Sequence, residues 1–446
     1  MRILIYSYNY YPEPIGIAPL ITELAEGLVS RGHEVRVVTA MPNYPERTVY
    51  PDYRGRLYCT ETRNGVLIQR CFVLIRPQPG LVARLMLEGS FVTLSFVQAL
   101  RGWRPDVILA TSPSLPACLP VALLKAWYRC PSILNLQDIL PEAAIHTGLL
   151  TNPVAIRCFE ALERFAYHSA DRISVIAEGF WDNLQGKGVP TDKMVCIPNW
   201  VDVEFVCPLP KTTSQFRQRH QLHDKFVVLY TGNIARTQGL RTAIRAAKAL
   251  ASDPDIVFVI VGEQNQLREL DQFRQELDVD NLLLLPFAPR LELPDMLAAA
   301  DVGLIMQKRN VVGFNMPSKT QLLLASGRPI IASVPHDGTA ARAVLRSGGG
   351  IVVEPENPTA LVKGVLELYN DRAKADRLGQ QGRQYALEHY SFEQALERYE
   401  RLILALTQPL RVAECLQAVG SLARFAQVWR RVKFKQPLAS LCCPQI

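Results

Sequence analysis

The segment from Gly313 to Gly327 carries the residue pattern with the clearest chemical meaning in this sequence. Pro317 suits the first turn of a helix, so the pattern predicts a helix that starts there and ends before Gly327. Lys319 would then lie beside unpaired backbone N–H groups, where a cation is unfavourable unless an anion is close. Ser318 and Lys319 are therefore predicted to contact a phosphate group. The alternative is a solvent-exposed lysine at the start of a helix.

Two earlier glycine-containing loops are further candidates for an anion site. Gly16 follows a strand-like run and precedes an amphipathic segment, so it can bring the backbone close to an anion at a helix N-terminus. Gly232 and Asn233 follow another such run, and the forked donors of Arg236 are placed where a diphosphate would meet the next helix. A plain tight turn at Gly16 and a solvated loop arginine at 236 are the alternatives.

Asp138 and Glu142 are the candidate acid–base residues. They follow the apolar run at 132–137, which predicts that they lie beyond the carboxyl end of a strand. A carboxylate in that position can orient an acceptor hydroxyl or act as a general base. Asp138 can equally well cap the turn that follows the strand.

The elements that must position these residues alternate regularly along the chain. Short apolar runs typical of buried parallel strands recur between amphipathic segments, and the rhythm is interrupted by one polar, proline-containing stretch. We predict an α/β fold with two doubly wound, Rossmann-like domains and ligands in the cleft between them. The predicted segments are a first domain at 1–203, a linker at 204–224, a second domain at 225–390, a crossing helix at 391–408 and a basic tail at 409–446.

Length and composition indicate an ordinary globular protein. The chain has 446 residues, of which 48% are apolar and 20% charged, and this balance excludes disorder as the dominant state. The ten cysteines include no CxxC pair, which argues against a zinc ribbon and indicates a reducing, cytoplasmic location. The apolar segment at 81–100 carries charges in its first half and predicts no spanning helix. It fits either a core helix or a groove for a lipid-linked acceptor.

The positive charge is concentrated at the C-terminus. The whole chain has a net charge of +7, and the segment 409–446 alone has six basic residues and one acidic residue. The body of the protein is therefore nearly neutral, which argues against nucleic-acid binding. A basic tail fits contact with an anionic membrane surface.

The order and spacing of several stretches resemble the GT-B glycosyltransferases of family 4, most closely those of bacterial exopolysaccharide (colanic-acid-type) gene clusters. The resemblance extends over residues 1–405. It implies a nucleotide sugar bound mostly on the second domain and an acceptor bound on the first. The matching stretches are 11–16, 32–39, 42–45, 137–142, 197–202, 230–233 and 317–329.

The resemblance also implies roles for the candidate residues. Lys319 resembles the lysine that binds the donor diphosphate, and Gly16 resembles the first-domain glycine that approaches it. Gly232, Asn233 and Arg236 correspond to the second-domain loop on the donor side. The loop that meets the donor sugar and phosphates matches Gly313, Phe314, Asn315 and Ser318.

The implied reaction is a retaining transfer of hexosyl type (EC 2.4), in which the departing diphosphate accepts the acceptor proton while nearby donors stabilise its charge. The nucleotide sugar is the co-substrate, and neither a cofactor nor a metal ion is implied. The implied acceptor is a polysaccharide or an undecaprenyl-linked intermediate of exopolysaccharide or cell-envelope synthesis. We expect a cytoplasmic enzyme, with peripheral attachment to the inner face of the plasma membrane as an option.

The sequence departs from the family pattern at two places. Many members carry glutamates at the positions of Phe314 and Leu322, so the usual carboxylate contact to the ribose is missing here. The common basic pair of the second-domain loop is replaced by Asn233 and Gln238. Two alternatives follow, a catalytically silent paralogue and a non-catalytic protein that binds a sugar or a nucleotide. The donor sugar, base, acceptor and oligomeric state stay open.

Overall fold

The computed structural model of this chain describes residues 1–407 except for 15, 77–79, 113, 143–144, 146–149 and 314–315. For residues 81 and 236 it describes the backbone only. Residues Met1–Tyr399 form one compact unit that contains two sheets. The predicted basic tail at 409–446 lies outside the described residues.

The sheet of the first domain has the strands β1 (Arg2–Tyr6), β2 (Glu34–Ala40), β3 (Tyr58–Arg63), β4 (Val66–Cys71), β5 (Val107–Thr111), β6 (Ser132–Leu136), β7 (Arg172–Val175) and β8 (Met194–Cys196). Their spatial order is β3-β4-β2-β1-β5-β6-β7-β8. Neighbouring strands are parallel except for the antiparallel pair β3 and β4. All residues of β1 after Arg2 are buried, because a central parallel strand is covered on both faces.

Helices connect these strands in the βαβ manner. The cap of α4 illustrates why they begin where they do: the Asn152 side chain accepts hydrogen bonds from the backbone of Val154 and Ala155, and Pro153 occupies the first turn. The helices of this domain are α1 (Ala18–Ser30), α2 (Leu81–Ala99), α3 (Cys118–Tyr128), α4 (Pro153–Ser169) and α5 (Glu178–Gly186).

The sheet of the second domain is wholly parallel and has the order β11-β10-β9-β12-β13-β14. Its strands are β9 (Phe226–Thr231), β10 (Ile256–Gly262), β11 (Leu282–Pro286), β12 (Val302–Met306), β13 (Ile330–Ser333) and β14 (Gly350–Val353). Its helices are α6 (Gln215–Arg219), α7 (Arg241–Ala249), α8 (Gln264–Glu276), α9 (Leu293–Ala298), α10 (Lys319–Ala325), α11 (Thr339–Ser347), α12 (Pro358–Asn370) and α13 (Arg372–His389). The predicted α/β class with two parallel-sheet domains is confirmed.

Each sheet reverses its strand order at one point, and the candidate loops follow the strands at these points. In the first sheet the reversal lies between β1 and β5, and in the second between β9 and β12. Ligands of doubly wound sheets bind beyond the carboxyl ends of the strands at such switch points. Gly16 follows β1, Gly232 follows β9 and Gly313 follows β12, so the fold brings all three loops to the ligand-binding edges.

A last helix, α14, begins at residue 392 and returns to the first domain. Phe392 packs against Trp200 with ring centroids 5.5 Å apart. A Cβ at Gly27 of α1 would collide with Phe392, so the glycine lets the two helices meet. The Tyr399 hydroxyl accepts a hydrogen bond from the Asn135 amide at 2.8 Å. Residues 400–407, which belong to a separate unit, continue as helix.

The segment 81–100 forms α2, which is only partly a core helix. Within this helix Phe91 is fully buried in the core, whereas Val82, Leu85 and Met86 are exposed. No helix in the described part of the chain is both long and apolar enough to cross a bilayer. The apolar content of α2 is therefore divided between the core and an outward face.

Candidate functional site

Lys319 is the first residue of α10, and its side chain is buried with 8% exposed. Its Nζ lies 3.7 Å from the centroid of the Tyr230 ring, a cation–π contact. Among the described residues, this Nζ has no hydrogen-bond partner. Burial lowers the pKa of Lys319 to about 7. A buried amine of this kind favours an anionic ligand, because a bound anion compensates the cost of burying its charge.

Gly232 brings the loop after β9 directly against this lysine. Its φ is +129°, a conformation that favours glycine. A Cβ at position 232 would lie 3.3 Å from Cε and 3.4 Å from Nζ of Lys319. The Tyr230 hydroxyl donates to the carbonyl of Asn233 at 2.7 Å and holds the loop in place. The structure thus brings Gly232, Asn233 and Lys319 together at one edge of the sheet.

Gly262 and Tyr230 belong to this arrangement, although the sequence alone does not single them out. A Cβ at Gly262, the last residue of β10, would collide with the Ile234 side chain. The backbone N–H of Gly232 donates to the carbonyl of Val261 at 3.1 Å. Gly262 therefore lets the candidate loop lie flat on β10. The only sequence signal for Gly262 is a glycine that ends a predicted strand.

The loop before α10 faces the first domain. Ser318 is exposed and makes no capping hydrogen bond with its side chain, so its hydroxyl faces solvent beside the start of α10. A Cβ at Gly313 would lie 3.5 Å from the carbonyl oxygen of Gly179 in α5. The donor-side loop therefore lies where the two domains meet.

The remaining predicted donor-side residues are placed less fully. Gly16 has a φ of +72° and is exposed, and a Cβ there would meet nothing, so the turn requires glycine for its conformation rather than for space. Arg236 begins a 3-10 turn, but its side chain is not described. Phe314 and Asn315 lie outside the described residues.

Asp138 lies beyond the carboxyl end of β6, as the sequence predicts, and is half-buried. Burial raises the pKa of its carboxyl to about 6, with no contribution from a neighbouring charge. The preceding Gln137 donates its backbone N–H to Ser112 Oγ at 2.9 Å, which joins the loops after β5 and β6. A carboxylate with this pKa can accept a hydrogen bond from an acceptor hydroxyl near neutral pH.

Glu142 is already engaged by α5. Its carboxylate accepts a hydrogen bond from Asn183 at 2.7 Å and forms an ion pair with Lys187 at 3.1 Å. Lys187 also pairs with buried Glu163 at 2.7 Å. These contacts give Glu142 a bracing role in this structure, while the catalytic role predicted for Asp138 and Glu142 stays a prediction. In the described ranges, no three His, Cys, Asp or Glu side chains could hold a metal ion.

Glu13 is a buried acidic residue that the sequence alone does not mark as part of the site. Its Oε1 accepts the backbone N–H groups of Asn43 and Tyr44, both at 2.9 Å, and its Oε2 accepts from the Asn9 side chain at 2.7 Å. The carboxylate therefore ties the loop that carries Gly16 to the loop after β2. Its two backbone partners, Asn43 and Tyr44, lie about thirty positions away in the sequence, so only the fold reveals this role.

Two ion pairs join the domains beside the donor-side loop. Arg342 of α11 pairs with Asp182 of α5, and Arg346 pairs with Glu178. A Cβ at Gly179 would collide with the Thr339 side chain, so the glycine lets the two helices come into contact. The two domains are therefore in direct contact beside the donor-side loop.

Two doubly wound domains, with a buried lysine on the second that favours an anionic ligand, are typical of the GT-B class of glycosyltransferases. Residues 16–200 match the family model described as "Glycosyl transferase 4-like domain", and residues 212–385 match "Glycosyl transferases group 1". The chain therefore belongs to the family 4 glycosyltransferases of the GT-B fold.

Individual relatives agree with this assignment. The glycosyl transferase WcaI of Escherichia coli (strain K12), whose name refers to colanic acid biosynthesis, is 32% identical over 82% of this chain and 92% of its own length. The glycosyltransferase WbjE of Pseudomonas aeruginosa is 26% identical over 77% of this chain and 86% of its own. The resemblance to the colanic-acid-type branch is confirmed.

Solved structures show the same fold at low identity. Sucrose-phosphate synthase from Thermosynechococcus elongatus superposes with a TM-score of 0.70 at 18% identity, covering 92% of this chain and 100% of its own. Anabaena Alr3699/HepE in complex with UDP superposes with a TM-score of 0.64 at 17% identity, covering 94% and 100%.

Proposed function

We propose that this protein is a retaining, hexosyl-type glycosyltransferase that moves a sugar from a nucleotide-diphosphate sugar to a polysaccharide or an undecaprenyl-linked acceptor. The observation that carries the proposal is the buried Lys319 Nζ against the Gly232 loop, for which the described residues offer no hydrogen-bond partner. The name of WcaI and the UDP complex of HepE support the acceptor and donor classes respectively. Exopolysaccharide or cell-envelope synthesis is the setting that we infer.

In this proposal the donor diphosphate lies between Lys319 and the backbone at Gly232. The protonated amine forms a charge-assisted hydrogen bond with the phosphate oxygens, and the bond strengthens as negative charge develops on the leaving group. Asp138, across the cleft, orients the acceptor hydroxyl, and the departing diphosphate takes its proton. No metal ion or cofactor is part of this mechanism.

Thermal unfolding with UDP, GDP, ADP and dTDP tests the donor site directly. A ligand that binds only the folded protein stabilises it by about 2.7 kcal/mol at a hundredfold excess over Kd. We expect one nucleotide to raise the Tm of the wild-type protein and to lose this effect in Lys319→Ala. The matched control is Lys363→Ala, an exposed lysine of α12 in the same domain. A full nucleotide effect in Lys319→Ala would contradict the assignment.

A catalytically silent paralogue is the second candidate, and the leucine at position 322 of α10 favours it. The resemblance implies a glutamate at this position, and Leu322 cannot accept hydrogen bonds from a ribose. Nucleotide release from the matching nucleotide sugar separates the two functions. Stabilisation by a nucleotide without any sugar transfer or hydrolysis would identify the silent protein, whereas turnover would exclude it.

The location is also a proposal. We infer that the protein works in the cytoplasm and attaches to the inner face of the plasma membrane, where a lipid-linked acceptor would be present. The charge of the segment 409–446, with six basic residues and one acidic, supports this attachment. Deletion of this segment is expected to weaken binding to anionic vesicles.

A further inference from the structure

Three helices of the first domain, α2, α3 and α4, lie side by side and present an unusual outward surface. The Tyr128 hydroxyl at the end of α3 donates to the carbonyl of Ala99 in α2 at 2.8 Å. On its other side, Lys125 of α3 donates to the carbonyl of Ser169 in α4 at 2.8 Å. The order α2-α3-α4 is therefore fixed by direct hydrogen bonds. We name the outward surface of these helices the α2–α4 face.

The α2–α4 face is rich in exposed apolar side chains. On α3, Leu119, Leu123 and Trp127 form a ridge at helical spacing and are 42%, 58% and 74% exposed. The buried residues of the same helix, such as Val121 and Leu124, fill the core, so the side chains of the ridge do not contribute to the packing of the core. The other exposed large apolar residues of the face are Val82, Leu85, Met86, Val97, Val154 and Phe165.

The exposed charge of this face is mainly basic, although the partly exposed Asp171 just after α4 pairs with Lys125 at 2.8 Å. The exposed charged residues on and at the ends of the three helices are basic, namely Arg84, Arg129, Arg157 and Arg164. Among the described side chains of these helices, no acidic one is exposed: Glu88 and Glu163 are buried in ion pairs, and Glu160 is half-buried. Arg84 is the partner of Glu88, which leaves Arg129, Arg157 and Arg164 as the cations that this argument uses. Apolar side chains among exposed arginines are the composition that binds the surface of an anionic bilayer.

A shallow cavity on the same face adds a place for a head group. It has a volume of about 400 Å³ and lies between α3 and the end of α4, where it is lined by Ala122, Lys125, Ala126, Arg129, Cys130 and Ser169. Lys125 is paired with Asp171 at 2.8 Å, so Arg129 is the cation that this cavity offers. An arginine beside small apolar side chains suits a phosphate group attached to an acyl chain. Trp127, on the ridge nearby in sequence, is the residue type that prefers the membrane interface.

We propose that the α2–α4 face docks on an anionic phospholipid bilayer. A second copy of the chain fits the face less well, because a two-fold interface would oppose the same arginines without exposed acids to pair with them. The proposal goes beyond sugar transfer and does not depend on it. The helices start at the carboxyl edge of the first sheet, so the beginning of each helix is the part of this face nearest the expected acceptor site, whereas Trp127 and the cavity lie towards the helix ends.

Vesicle cosedimentation with the full chain tests the docking. Compared with the wild type, Leu123→Ser/Trp127→Ser is expected to lower the partition coefficient on phosphatidylglycerol-containing vesicles by about tenfold or more. The matched control is Leu291→Ser/Leu345→Ser, which removes two exposed leucines of the second domain and should change it by less than about twofold. Unchanged partitioning of the first variant would overturn the proposal. So would a wild-type dimer that this variant dissociates in the absence of vesicles.

A second readout separates this face from the basic tail, which can also bind vesicles. Brominated lipids quench tryptophan only when the indole enters the bilayer. Because the tail carries Trp429, both proteins are compared in a Trp429→Phe background. There we expect the quenched component of the emission to disappear in Trp127→Phe, which preserves an apolar side chain. Equal quenching in both proteins would place Trp127 outside the bilayer and overturn the proposal.

The arginines provide the charge test. Arg157→Gln/Arg164→Gln is expected to weaken binding to anionic vesicles several-fold and to reduce its salt dependence. The matched control, Arg241→Gln/Arg245→Gln, changes two exposed arginines of α7 in the second domain. An equal loss in both variants would mean that only net charge matters and would contradict a specific face.

Discussion

Lys319 lies where its own charge is unfavourable until an anion arrives. Burial lowers the pKa of its amine to about 7, well below that of an exposed lysine, so near neutral pH a large fraction is uncharged in the free protein. A diphosphate beside the amine favours the charged form and raises this pKa. Nucleotide binding should therefore be linked to proton uptake at this residue.

The first prediction is that nucleotide diphosphate affinity falls as the pH rises above about 7. Below that pH Lys319 is already protonated. Above it, Lys319 must take up a proton each time a ligand binds, so affinity falls by up to about tenfold per pH unit. Titration calorimetry in two buffers of different ionisation enthalpy measures the proton uptake. Lys319→Arg keeps its charge and should lose the linkage. The same proton uptake in this variant would contradict the role of Lys319.

The second prediction concerns Asp138. Burial raises the pKa of its carboxyl to about 6, and the ionised form is the stronger hydrogen-bond acceptor for an acceptor hydroxyl. Sugar transfer at subsaturating acceptor should therefore decrease as the pH falls through about 6. Asp138→Asn should be slower at every pH by about a hundredfold and should lose this step. A wild-type pH profile in Asp138→Asn would show that another group causes it.

The residues of the site differ in how far sequence predicts them. Lys319 is predictable because a lysine at the start of a helix is unfavourable unless an anion lies close to it. Gly232 is predictable as a loop glycine because it follows an apolar, strand-like run. The contacts of Tyr230 and Glu13 are not, because each depends on backbone groups brought close by the fold, such as the Asn43 amide for Glu13. For Glu142 the sequence predicts the position after β6 but not the ion pair with Lys187.

At the scale of elements, Asp301 joins the linker helix to the second sheet. Its carboxylate accepts the backbone N–H of Val227 in β9 at 2.9 Å and pairs with buried Arg217 of α6. Lys211 adds a third contact at 2.6 Å. The segment that the sequence marks only as a linker thus contains a helix fixed by a buried charge network.

The third prediction is that Asp301→Asn destabilises the protein by about 3 kcal/mol, because it leaves the Arg217 guanidinium buried without its counter-charge. Denaturant unfolding measures the change in the free energy of unfolding. The matched control is Glu292→Gln. It breaks the exposed ion pair between Arg219 of α6 and Glu292, and it should leave stability unchanged. Equal stability of Asp301→Asn and the wild type would contradict this account.

The elements of the fold were largely predictable because buried parallel strands are short, continuous apolar runs. The exception is the hairpin of β3 and β4, which the sequence analysis does not predict. β3 consists mostly of polar, partly exposed residues, and β4, although largely buried, has only three consecutive apolar residues before Gln69 and Arg70, so neither strand shows a long continuous apolar run. The signal is the turn between them, since Asn64 and Gly65 both have positive φ, as an Asn-Gly hairpin turn requires.

At the scale of the whole molecule, the proposed chemistry needs both domains at once. Lys319 and Gly232 belong to the second domain, whereas Asp138 and Gly16 belong to the first. A donor on one side and an acceptor on the other react only when the cleft is closed around them. The contacts between α5 and α11 lie beside Gly313 and are therefore placed to set how the cleft closes.

The last prediction is that the Arg342–Asp182 ion pair stabilises the contact between the two domains rather than the fold of either domain. Both side chains are partly exposed, so Arg342→Glu should leave thermal stability nearly unchanged. It places two acidic side chains opposite each other, so the population of open molecules should rise several-fold at low salt. Small-angle scattering should then show a larger radius of gyration, and kcat/KM for transfer should fall in parallel. Adding Asp182→Arg restores opposite charges and should reverse both effects, and if the double variant stays as open and as slow as Arg342→Glu, the ion pair does not control closure.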